Sequence, residues 1–196
     1  MEFITQLWLP ILVSAVVVFM ASSVIWMATP LHKKDYGEPP DKDGVLEVMR
    51  RAPFPPGVYC FPWTANYGAA MKDPAFMEKW NNGPWATLVV PPRQPSFARS
   101  LVLWFINLVV VGALVAYVAA AALPMNSMVG SPEYLHVFRV VGGAALLGHA
   151  GMAACESIWM GYTWRYSMTK VIDGLIYALL TAGVFAWLWP RGSILG

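Results

Sequence analysis

Apolar positions fall into four long runs, Ile4–Met27, Leu101–Leu123, Val137–Met160 and Val171–Trp189, separated by stretches where charge and proline collect. As a helix each run would be about 28–36 Å long, close to the hydrocarbon thickness of a bilayer. The pattern predicts an all-α membrane protein: four transmembrane helices with a small α+β cytoplasmic cap between helices 1 and 2. Residues 1–29 form transmembrane helix 1, residues 30–98 the cytoplasmic loop subdomain, and residues 99–196 transmembrane helices 2–4. The first run is read as a retained anchor. Met1-Glu2-Phe3 lacks a basic leader, the apolar run exceeds that of a signal peptide, and His32-Lys33-Lys34 follows as a stop.

The 30–98 segment carries 12 of the 16 prolines, yet it also carries start and stop signals. Asp43 is expected to cap a short helix through Val45, Leu46 and Met49 to Arg51. Asp73-Pro74 pairs an N-cap with a proline at the first helical position. That second helix would carry Phe76, Met77 and Trp80 and stop at Asn81-Asn82-Gly83. Gly57–Phe61 and Trp85–Val90 are short β-prone runs bounded by Pro and Gly. Phe54, Tyr59, Phe61, Trp63, Trp80 and Trp85 are expected to close against each other and against the span ends.

Charge then orients the chain. Nine of the 13 Lys and Arg residues lie between the first two runs, and Arg165 and Lys170 flank the turn between runs three and four, expected at Tyr162–Thr169. Only Arg139 and Arg191 fall on the other side. The positive-inside rule therefore places the large loop and the 3–4 turn in the cytoplasm, with both termini non-cytoplasmic, in a cell inner (plasma) membrane. Trp8, Trp26, Trp104, Trp159, Trp164, Trp187 and Trp189 lie near run ends, as interfacial anchors do.

Composition agrees: 58% of residues are hydrophobic and 12% charged. A net charge of +2 gives no footprint for a nucleic-acid partner. Cys60 and Cys155 form no CxxC and are read as reduced thiols. No phosphate-cradling loop, metal-ligand spacing or nucleophile–base set is recognisable, so no catalytic residue, cofactor or metal is assigned and the chain is read as non-enzymatic. His32 and Asp35, three apart beside two lysines, read as a solvated turn facing the headgroups rather than a metal pair. Asp41, Asp43 and Glu47 lack the glycine and the terminal acid of a calcium loop and read as capping residues.

Three stretches carry a likeness: Pro30–Tyr36, Pro56–Pro62, and Asp173–Gly183 with Trp187-Leu188-Trp189-Pro190. Together they resemble a group of uncharacterised bacterial four-span inner-membrane proteins. The resemblance implies topology and brings no activity with it.

Ionisable side chains inside apolar runs are costly and therefore suspect as functional. Run three holds His149, near its middle, and Glu156, seven residues on and on the same face; run four holds Asp173. In a symmetric hairpin Glu156 and Asp173 would stand at equal depth, where two carboxylates could share a proton or hold a cation. Lys170, one helical turn before Asp173, could instead neutralise an acid while reaching for water. These four residues make up the candidate intramembrane polar site. Ala144, Gly148, Gly151 and Cys155 form a small-residue stripe suited to close helix packing. The leading expectation is an accessory or scaffold subunit, an assembly partner of a membrane complex. Its partners would be the bilayer and other membrane-protein subunits or copies of itself. The alternative is a small proton- or ion-coupled transporter using His149, Glu156 and Asp173.

Overall fold

The structure, a computed structural model, describes residues 2–125 and 132–191. The expected connection at 126–131 and the chain end at 192–196 lie outside the described residues. The elements are α1 (Glu2–Ala28), α2 (Lys42–Arg51), β1 (Gly57–Phe61), α3 (Tyr67–Ala70), α4 (Pro74–Asn82), β2 (Ala86–Val90), α5 (Phe97–Ala122), α6 (Tyr134–Ala150), α7 (Ala153–Met160) and α8 (Trp164–Leu188). The chain is mostly helical. Four helices, with α6 and α7 taken together, are long and apolar enough to cross a membrane.

These helices belong to one compact unit; residues 37–96, with Trp159–Gly161, form another. In the first unit α1 packs on α5 and α8, and α6 also packs on α5 and α8, which closes a ring of four. Each helix gives a stripe at helical spacing to the centre: Leu7, Ile11, Ala15 and Val18 from α1, Leu108, Val115 and Ala119 from α5, and Val137, Val141 and Ala145 from α6. Helix α8 is buried on two faces because it meets both α1 and α6, and Phe185 and Ala186 are fully buried. The serine hydroxyls of α1 are satisfied locally. The Ser14, Ser22 and Ser23 hydroxyls donate to carbonyls one turn back, at 2.8–3.0 Å.

The smallest side chains set the α6–α8 approach. A Cβ on Gly174 would stand 2.6 Å from the Ala150 Cβ, and one on Gly142 would stand 3.4 Å from the Ala182 Cβ. Both contacts put position 151, not 156, opposite Asp173. The third span is also broken, α6 ending at Ala150 and α7 restarting at Ala153 after the Gly151-Met152 turn. Finally, α8 begins at Trp164, well before the expected Val171, so the turn is much shorter than Tyr162–Thr169. Thr163 starts α8, its hydroxyl accepting from the Tyr166 N–H at 3.3 Å. Equal depth for Glu156 and Asp173 therefore fails, because it assumed unbroken helices about a longer, symmetric turn.

In the second unit β1 and β2 pair antiparallel, Gly57 opposite Val90 and Phe61 opposite Ala86. Helix α4 forms as its signals dictate: Asp73 accepts from the Ala75 N–H at 3.0 Å, Pro74 opens the helix, and Gly83 closes it with φ of 67°. Helix α2 is capped by Asp41, whose carboxylate accepts from the Gly44 N–H at 3.0 Å, rather than by Asp43, which lies within the first turn. The short α3 was not expected. Its Tyr67 meets the rings of Phe76 and Trp80, Phe54 meets Tyr59, and the Trp85 indole donates to the Trp80 carbonyl at 2.8 Å. Trp63 and Trp85 remain exposed, so the aromatic closure is partial. Both cysteines are free, Cys60 exposed and Cys155 half-buried.

Candidate functional site

The polar centre of the bundle is built on His32, just beyond the end of α1. Pro30 cannot continue the helix, and the Thr29 hydroxyl closes its last turn on the Ile25 carbonyl at 2.6 Å. Two tight turns follow, Lys33 N–H to Pro30 C=O and Asp35 N–H to His32 C=O, at 3.2 and 3.0 Å. They fold the His32 ring flat against Trp26, with centroids 3.9 Å apart and planes 5° from parallel. His32 and Asp35 thus stand in the bundle, their side chains 5% and 0% exposed. This corrects the solvated-turn expectation: the three-residue spacing aims both side chains inward, where α8 supplies partners.

His32 has a carboxylate on each ring nitrogen. Nδ1 lies 2.7 Å from Asp35 Oδ2, and Nε2 lies 3.3 and 3.2 Å from Asp173 Oδ1 and Oδ2. A neutral imidazole carries one N–H and serves only one of them, whereas an imidazolium, or a proton on one acid, satisfies both. One proton shared among the three side chains would satisfy both contacts. The Thr169 hydroxyl sits 2.8 Å from both Asp35 Oδ2 and the Tyr166 carbonyl. Arg165 donates to the Leu31 carbonyl at 2.8 Å, and its Nε is 3.7 Å from Asp35 Oδ1. Burial pushes the Asp35 carboxyl up, but hydrogen bonds from His32 and Thr169 and the positive fields of His32 and Arg165 outweigh it, holding Asp35 below its ordinary value.

Beside this cluster lies a cavity of about 420 Å³ to which all four long helices contribute, including Ser22, Trp26, Trp104, His149, Asp173 and Tyr177. Lys170 also lines it, its ammonium 4.5 Å from the Trp26 ring centre and 5.3 Å from that of Tyr166. His149 stands in the last turn of α6, near the middle of the third span as expected, its ring 5.6 Å from that of Tyr177. Of the four expected polar residues, His149, Lys170 and Asp173 meet at this cavity. Glu156 is exposed on α7, beyond the Gly151-Met152 turn, and is not part of the lining.

The expected small-residue stripe is divided in the same way. Ala144 is half-buried, Gly148 faces Val111 of α5, and Gly151 and Cys155 straddle the break. Gly174, which sets the tightest contact between α6 and α8, was not singled out. Three of the seven tryptophans do more than anchor. Trp26 stacks on His32, Trp104 donates to Ser22 Oγ at 3.0 Å, and the buried Trp189 donates to the Pro124 carbonyl at 3.1 Å.

Among the described residues no group of three or more His, Cys, Asp or Glu is arranged to hold a metal ion. Comparison with protein-family models, curated proteins and solved structures finds no match to this chain. The site's chemistry rests on its geometry alone.

Proposed function

We propose that this chain is a multi-pass protein of a bacterial inner membrane, with both termini non-cytoplasmic, whose helical bundle is a small proton-linked carrier. The observation supporting this most directly is Asp173, 4% exposed, paired to His32 and forming part of the cavity wall. An ionisable group deep in an apolar bundle that borders a cavity can change its proton when the cavity changes its contents. The proton site is His32–Asp35–Asp173, with His149 and Lys170 at the cavity. Glu156 has no part in it. Four spans are few for a carrier, so self-association belongs to this reading, and no enzymatic step does. Proteoliposomes enclosing a pH-sensitive dye test it. Faster proton entry than in protein-free vesicles, lost in His32→Gln, supports the carrier; entry equal to protein-free vesicles sinks it.

A second reading, an accessory subunit docking other membrane proteins, draws on the 37–96 unit. Val58 and Val89 face each other across the sheet and are both exposed, as are Trp63 and Trp85. A lone monomer after purification in mild detergent would count against it.

A further inference from the structure

The cavity's polar atoms are not equally free. Ser22 Oγ donates to the Phe19 carbonyl and accepts from Trp104, and Ser23 Oγ donates to the same carbonyl. Asp173 is engaged by His32. Besides the Ser100 hydroxyl, three groups of the wall make no hydrogen bond among the described residues. The Tyr177 hydroxyl, on a side chain 4% exposed, is buried without a hydrogen-bond partner, although Trp26 and Ser22 are its polar neighbours. The Lys170 ammonium rests on aromatic faces and makes no hydrogen bond among the described residues. The His149 ring meets Tyr177 edge-on and likewise makes none. A buried hydroxyl left unpaired is costly, so Tyr177 has a donor to offer into the cavity.

All three can donate. Lys170, Asp173, Gly174 and Tyr177 recur at intervals of three and four residues, which places them along one face of α8. Apart from Ser100, the remaining wall is apolar and aromatic: Met27, Phe97, Leu101 and Trp104. An anionic head drawn to Lys170 would meet the Asp173 carboxylate one turn away. A cationic head would meet the Lys170 ammonium itself.

We infer that the cavity binds a neutral amphiphile whose carbonyl oxygens accept from Tyr177 and Lys170 and whose apolar part lies along the aromatic wall. At about 420 Å³ the space admits a ring or a pair of ester groups with the first carbons of a chain. Two membrane molecules carry that chemistry, a quinone ring and the acyl-ester region of a phospholipid. The inference rests on the carrier reading's cavity but not on proton movement, so proton entry without carbonyl binding would sink the ligand chemistry alone.

Native mass spectrometry of the full chain, released from detergent after titration with decylubiquinone, dioctanoylglycerol (the acyl-ester region without a charged head) or laurate, tests it. The expected result is one equivalent of a neutral probe, bound about five- to tenfold more weakly in Tyr177→Phe and in Lys170→Met. Whichever neutral probe binds more tightly identifies the source. Failure of both neutral probes, tighter binding of laurate, or affinity unchanged in both variants overturns the inference.

Discussion

His32 Nε2 stands 3.2 Å from the Asp173 carboxylate, two residues 141 positions apart in the chain. The contact ties the segment leaving α1 to the middle of α8. Both side chains are buried, so each carries the desolvation of the other if left alone. Unfolding measured in detergent for His32→Gln, Asp173→Asn and the double variant is expected to show coupling of about 1–3 kcal/mol. Additive losses would mean the two side chains are neighbours without interaction.

Helix approach at Gly174 gives a second expectation. A methyl group there would overlap the Ala150 Cβ, which stands 2.6 Å away. Gly174→Ala is expected to cost about 1–3 kcal/mol through overpacking. Gly143, where an added Cβ meets nothing within 4 Å, is the control. Gly143→Ala should be neutral or slightly stabilising, because alanine is the better helix former. Thermal unfolding of the two variants decides between them.

Asp35 makes stability depend on acid. Its folded carboxyl titrates below the ordinary 3.8, so the unfolded chain binds the proton first as pH falls. The stabilisation is complete above about pH 5 and is lost as pH drops through the ordinary carboxylate range and then the folded value. Asp35→Asn is expected to lower stability at neutral pH and to flatten the acid limb. An acid limb unchanged in that variant would remove Asp35 from the account.

Topology can be read with one thiol. Cys60 is exposed on β1. In a Cys155→Ser background, a membrane-impermeant maleimide is expected to label Cys60 in inverted inner-membrane vesicles and not in intact spheroplasts. The reverse pattern would invert the orientation drawn from the lysines and arginines.

What the sequence made legible was local. Asp73, Pro74 and Gly83 specify the nine residues of α4, and the four apolar runs carry their own length. What it hid depended on distant contacts. The register of α6 on α8 follows from Gly174 meeting Ala150 and from a turn whose length no local signal fixes. The apolar surroundings of Asp173 mark it in the sequence, but hairpin symmetry pairs it with Glu156 on the neighbouring run. The actual partner, His32, lies outside every apolar run beside two lysines, and that context describes water as readily as a buried turn. Pro30 was the available clue: a forced helix end just before a histidine can fold that side chain back along the helix it leaves.

The central claim is that Asp173, and not Glu156, is the working acid of the bundle. Proton entry into dye-loaded proteoliposomes should be compared for the unaltered chain, Asp173→Asn and Glu156→Gln. The account predicts loss in Asp173→Asn and an unchanged rate in Glu156→Gln. Entry that survives Asp173→Asn, or fails in Glu156→Gln, would contradict it.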